Sequence, residues 1–175
     1  VGSEMCIRDR SKLYLDVTGR IDWSSALAWT NSKNVAYPSV GLSAILTDLF
    51  PIKNDVLTFL KVRASYSEVG NAPTRYIAYQ TFPYQSGTPT TASTYPNSDI
   101  KPERTKAWEV GLQSNFWGDK LSLSVSLYKT STYNQLFNPS LSASSGYTSI
   151  YINGGQVDNK GIELGLSLNQ DLGPV

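Results

Sequence analysis

Six times between Leu13 and Leu168 the chain alternates apolar and polar side chains residue by residue. The first run sets Leu13, Leu15, Val17, Gly19, Ile21 and Trp23 against Lys12, Tyr14, Asp16, Thr18, Arg20 and Asp22. A period of two marks a strand, because successive Cβ atoms point to opposite faces of the pleat. Val40, Leu42, Ala44 and Leu46 repeat the pattern, as do Leu60, Val62, Ala64 and Tyr66. Trp108, Val110, Leu112 and Phe116 follow it with one break, Ser114. Leu121, Leu123, Val125 and Leu127 keep it, and Ile162, Leu164, Leu166 and Leu168 close the series. No long stretch has helical spacing, so the expected class is all-β.

The connections alternate in length. Gly118-Asp119 is a tight-turn dipeptide between the fourth and fifth runs. About thirty residues rich in Pro, Thr, Ser and Tyr, 70–104, join the third to the fourth, and a Ser/Asn/Gly segment, 138–160, joins the fifth to the sixth. Residues 24–33 form a ten-residue link, and 47–56 have room for one helical turn at Asp48-Leu-Phe50. Long structureless loops are rare in compact soluble domains. In outer-membrane barrels they are normal, with long loops outside and short turns on the periplasmic face.

Composition narrows the chemistry. The chain has no His, one Cys, and 15 Lys+Arg against 14 Asp+Glu, a net charge of +1. Serine–histidine catalysis, His-ligated zinc and an internal disulfide framework are excluded, and no basic footprint points to nucleic acid. No cofactor or metal is expected. No run of eighteen apolar residues offers a membrane-spanning helix.

Alternation alone also fits a soluble β-sandwich, such as a carbohydrate-binding or adhesion module. Three features favour the bilayer. The runs reach about 9–11 residues, the length a tilted strand needs to cross it. Their polar faces carry Ser, Gly, Asn and Gln, as a wet lumen would. Trp108 and Phe116 lie eight residues apart on one face, ~19 Å along the normal at a tilt of about 45°, which suits two aromatic girdles. Trp117, Trp23 and Tyr37 fit the same girdles. Six strands are too few to close, since unpaired edges in lipid are costly and bacterial barrels begin at about eight strands. The expected fold is therefore part of an antiparallel transmembrane β-barrel.

Residues 1–10, VGSEMCIRDR, hold the sole Met and Cys and show no strand periodicity. They read as a non-native, adapter-derived segment, leaving 11–175 as the partial barrel; both natural termini are expected to lie beyond this sequence.

Ordered motifs then resemble one family. Asp22-Trp-Ser-Ser25, Tyr37-Pro-Ser-Val40, Leu60-Lys-Val-Arg-Ala-Ser-Tyr66 with Gly70-Asn71, Lys101-Pro-Glu-Arg-Thr105 with Glu109-Val-Gly-Leu112, Asn153-Gly-Gly155 and Asn159-Lys-Gly-Ile-Glu-Leu164 follow the series of SusC/RagA-type TonB-dependent outer-membrane receptors of Bacteroidetes. Trp23 stands where that family more often has Gly, and Ser67 where Gly usually follows the Tyr. The resemblance implies a plugged barrel of about twenty-two strands in the cell outer membrane. It implies import of oligosaccharides or peptides, energised through TonB, with a SusD-like surface lipoprotein as partner. Plug, TonB-contacting segment and signal peptide would all lie upstream.

Asp22, Glu68, Glu103, Glu109 and Glu163 are the carboxylates an enzyme reading would need, yet sequence places no pair at the spacing glycoside hydrolysis requires. No catalytic residue and no metal ligand is assigned. Gly70-Asn71, Asn153-Gly-Gly155 and Asn159-Lys-Gly161 read as turns that tolerate positive φ. The candidates for ligand contact are Arg75, Tyr76, Tyr79, Tyr84 and Tyr95 in the long loop. Tyrosine offers a flat apolar face with a polar tip, suited to sugar rings or peptides. The alternative is a loop that folds on itself with the same aromatics.

Overall fold

The computed structural model describes residues 2–9, 12–31, 34–50 and 55–169. Seven strands form one antiparallel sheet in which each strand pairs with the next along the chain. They are β1 Gly2–Asp9, β2 Leu13–Trp23, β3 Asn34–Ile45, β4 Leu57–Asn71, β5 Glu103–Phe116, β6 Leu121–Tyr133 and β7 Gln156–Leu168. β2 to β7 are the six alternating runs. All but β2 extend past the alternation at the end bearing the long loops, because backbone ladder bonds continue where the side-chain pattern stops. β1 departs from the sequence reading, which saw no strand in the first ten residues: its ladder with β2 runs from Gly2↔Arg20 to Asp9↔Leu13. Such pairing needs only backbone groups and an open edge.

The link Asp48-Leu-Phe50 was expected to make a helical turn, and a turn forms at Leu46–Leu49. Residues 117–120 turn tightly, with Trp117, Gly118 and Asp119 all at positive φ. Residues 24–31 and the two long loops gather at the opposite end of the sheet.

Register sorts the two faces. Asp16↔Gly41, Ser65↔Glu109 and Ser126↔Glu163 share one face; Val17↔Val40, Tyr66↔Trp108 and Leu127↔Ile162 share the other. The apolar face is bare: Val40, Leu42, Trp108, Val110, Leu127, Ile162 and Leu164 are all exposed, and Leu168 is 76% exposed. Among the described residues no second layer covers the sheet. The buried hydrophobics are Ala26, Leu27, Val35, Ile77, Ala78 and Ile100. All but Val35 lie in the loops, and Val35 is at the loop end of β3. A sandwich would bury one whole sheet face, and this sheet buries neither.

On β4 to β7 the apolar face ends in a sharp step: Tyr66 to Glu68, Trp108 to Lys106, Leu127 to Lys129, and Ile162 to Lys160. On β2 it stays apolar up to Trp23. Trp23 lies opposite Asn34, whereas Tyr66 lies opposite Val40, six residues farther along β3. Trp108 is level with Tyr66, and Leu127 is opposite Val110, two residues lower, with Ile162 opposite Leu127. The edge therefore descends eight residues over five strand-to-strand steps. That is ~26 Å against ~24 Å, at about 3.3 Å per residue and about 4.8 Å per strand. An apolar belt crossing the ladder at about 45° is what strands tilted roughly 35–45° to a bilayer normal produce.

Trp23 and Trp117 lie where two girdles would need them, and Tyr37 does not. Trp23 is exposed on the apolar face at the loop end, and Trp117 is exposed at the turn end beside Phe116. Tyr37 pairs with Arg20 on the polar face and lies over Gly70. The β3–β4 ladder stops at Ser39↔Ser67, and Tyr37 fills the fork that opens above it.

Candidate functional site

Two surfaces carry polar side chains in shaped positions: the concave polar face and the roof made by the loops. On the polar face Arg63 of β4 lies flat across Gly111 of β5, where a Cβ would collide with its Nε. Its Nη2 donates to Glu109 Oε1 at 2.7 Å and to Ser126 Oγ at 2.9 Å, tying three strands together. Beside it a cleft of about 400 Å³ is lined by Tyr14, Asp16, Ser43, Arg63, Ser65 and Glu109. A second hollow brings Glu109 and Glu163 to one wall, with Tyr128 and Ser126 between them. Glu109 is committed to Arg63, and Asp22 to Arg20 at 2.7 Å.

Glu68 belongs to neither surface. It is buried on the outward side of the β3–β4 fork, where Tyr133 Oη donates to its Oε1 at 2.7 Å. The Nε of Arg104 lies 3.3 Å from the same oxygen without hydrogen-bond alignment, while its Nη2 donates to the Ala36 carbonyl at 2.8 Å. Arg104 thus bridges a ladder that has come apart.

The roof builds from a short 3-10 turn at Ser25–Leu27, where the Ala26 amide donates to Ser24 Oγ. It buries Leu27 against the loops, and Ile77, Ala78 and Ile100 complete a small apolar centre. The proposed contact residues divide over this roof. Tyr76 and Tyr79 meet edge-on at 5.9 Å, and Tyr79 packs on Trp29 at 5.3 Å. Tyr95 instead packs on Tyr147 at 5.1 Å, at the junction of the two long loops. Tyr84 stands exposed on a small hairpin, Tyr84–Gln85 with Thr88–Pro89, turned by Ser86 and Gly87 at positive φ. Arg75 is exposed beside Tyr76, and Tyr76 itself sits at φ 69°. The five residues therefore share an end of the molecule and not a single cluster. Trp29 and Tyr147 escaped the sequence reading; the signal available was that both fall in connections at the loop end.

Asparagines clasp the two long loops. Asn153 Oδ1 accepts from the Lys101 amide at 2.7 Å, and its Nδ2 donates to the carbonyls of Lys101 and Asn134 at 2.8 and 2.9 Å. Asn97 Nδ2 donates to the Tyr151 carbonyl at 2.8 Å. Thr94–Tyr95 pairs in parallel with Ser149–Ile150. Between the loops lies a cavity of about 650 Å³ lined by Asn31, Asn97, Asp99, Lys101, Asn134 and Asn153, among others. Turn chemistry holds for Gly155 at φ 73° but not for Gly70, Asn71, Asn159 or Gly161, which are strand residues without positive φ. Gly70 and Gly161 are there for close approach: a Cβ at 161 would lie 2.5 Å from the Tyr128 hydroxyl.

Residues 8–173 match the family described as TonB dependent receptor-like, beta-barrel. The chain is 29% identical over 92% of its length to TonB-dependent receptor P3 of Formosa agariphila, and 25% identical over 90% to receptor P26 of the same organism. It spans 17% of the length of each. Its structure is similar to that of the RagAB peptide transporter, with a TM-score of 0.74 and 27% identity, covering 92% of this chain and 18% of that one. The siderophore receptor PirA from Pseudomonas aeruginosa shares the fold, with a TM-score of 0.61 at 17% identity and coverage of 93% of this chain and 29% of that one.

Proposed function

The chain belongs to the TonB-dependent receptor β-barrel family, and from that premise we propose that it forms part of the wall and outer loops of a receptor that imports nutrients across the outer membrane. The observation that carries this reading is the bare apolar face, which crosses the ladder at about 45° and meets charge along one edge. A soluble module would have to cover that face, and nothing among the described residues does.

Within this reading, import is energised through TonB, a SusD-like surface lipoprotein partners the loop end, and the cargo is a peptide or an oligosaccharide. The SusC/RagA-type motifs support the lipoprotein partner, and likeness to RagAB, itself a peptide transporter, supports peptide cargo. Ligand contact falls to Arg75, Tyr76 and Tyr79 with Trp29, and to Tyr95 with Tyr147, while Tyr84 offers a separate exposed ring. Residues 1–10 are read as adapter-derived, with β1 in the place of a natural strand; the family match, 8–173, takes in the last three of them. The test is uptake by the source bacterium carrying the full-length receptor. Deleting the receptor should abolish uptake of one nutrient class, peptide or oligosaccharide, and depleting TonB should reproduce the loss. Alanine at Tyr76 and Tyr79 should raise the half-saturating concentration by roughly tenfold, the equivalent of ~1.4 kcal/mol. Unchanged uptake after receptor deletion would overturn the proposal.

A further inference from the structure

Where the outward face leaves its apolar belt, three lysines stand on three adjacent strands. Lys129 lies directly opposite Lys160, and on its other side opposite Trp108. Lys106 is one diagonal step away, opposite Ser131, with its Nζ 5.1 Å over the Tyr133 ring. Like charges set directly across a strand pair destabilise it. Among the described residues no carboxylate comes within salt-bridge distance of any of the three. Two acidic groups are near: Glu68, opposite Lys106, is engaged by Arg104 and Tyr133. Asp158, opposite Ser131, accepts from Gln156 Nε2 at 3.0 Å. The patch remains net cationic.

Its position supplies the rest. Immediately below it, Leu127, Val110, Ile162 and Leu164 are exposed in neighbouring rows of the apolar belt. The strands stand about 4.8 Å apart, so one phosphate can approach all three ammonium groups while acyl chains lie down the belt. We propose that Lys106, Lys129 and Lys160 form a headgroup site for an anionic, phosphate-bearing membrane lipid of the outer leaflet. The anion relieves the Lys129–Lys160 repulsion. This inference rests on the outer-membrane reading above.

The full-length receptor tests it. After extraction from vesicles of equal parts phosphatidylcholine and phosphatidylglycerol, native mass spectrometry counts the retained lipids. The unsubstituted receptor should retain phosphatidylglycerol over phosphatidylcholine at a ratio several-fold above the one-to-one of the vesicles. K106Q/K129Q/K160Q should fall to the bulk ratio, the three arginine substitutions together should keep the enrichment, and K61Q, on the polar face, should leave it unchanged. No enrichment in the unsubstituted receptor, or enrichment surviving the triple substitution, overturns the site. So does displacement of the lipid by inorganic phosphate, which would mark a free-anion site. Lysines that merely anchor at the interface would show no headgroup preference. K129Q and K160Q singly, each relieving the opposed pair, keep the test open if the triple variant fails to insert. Failure of the unsubstituted receptor to insert would instead condemn the outer-membrane reading.

Discussion

A Cβ at Gly70 would lie 2.7 Å from Cε1 of Tyr37 and 3.1 Å from the Glu103 carbonyl oxygen, so the fork between β3 and β4 can be filled by an aromatic ring only while residue 70 has no side chain. Gly70→Ala should destabilise the receptor by about 1–3 kcal/mol, the range for overpacking, read as a lower denaturant midpoint. Shortening Tyr37 in the same molecule should recover part of the loss, leaving the clash with the Glu103 backbone. Glu68 makes the complementary case. Its carboxylate is the acceptor for Tyr133 Oη and the counterion of Arg104. Glu68→Ala strands a half-buried guanidinium and should cost about 1–3 kcal/mol. Removing Arg104 as well should cost less than the two single losses together. Additive losses in a double-mutant cycle would show that the pair is not coupled.

At the scale of elements, legibility tracked the range of the interaction. Strand existence was plain because alternation is local: each of the six runs is a strand, and the short turn at residues 117–120 follows from Gly118-Asp119. Strand ends were not plain, since Lys106, Lys129 and Lys160 break the pattern while their backbones stay paired. Tyr37 was misplaced because a girdle aromatic and a fork-filling aromatic look alike until the register is known. The roof was least legible. Tyr79 meets Trp29 across fifty residues of chain, and nothing local in either segment announces it. Asn153 shows what such long-range fastening does. It spends its amide on Lys101 and Asn134, so two loops that look independent in sequence are held as one. Asn153→Ala should leave the strands intact but free the loops. Limited proteolysis of the full-length receptor should nick residues 134–155 roughly tenfold faster, the equivalent of ~1.4 kcal/mol of local opening. Asn153→Asp keeps the acceptor for the Lys101 amide and should fall between the two.

For the whole molecule the tilt of the belt is the most exposed claim, because it reverses what the ladder alone would suggest. Lys106 pairs with Glu68, one step above the last β3–β4 pair, Ser39↔Ser67. That row meets β2 at Gly19, two residues below Ile21 on the way to the loop end. Were the strands upright in the membrane, Ile21 would stand farther from its centre than Lys106 and would be reached first from outside. With strands inclined at about 45° the order inverts, and Ile21 lies in lipid while Lys106 lies in the headgroup layer. Single cysteines placed at the two positions in the full-length receptor, in a background without other reactive cysteines, separate the alternatives. A membrane-impermeant maleimide added to intact cells should label position 106 readily and position 21 poorly. The same contrast should hold between positions 160 and 162 on β7, where the edge of the belt falls between neighbouring outward residues. Ready labelling at 21 with protection at 106 would mean that the strands do not cross the bilayer at this inclination, and the outward face would then need another explanation for its slanted edge.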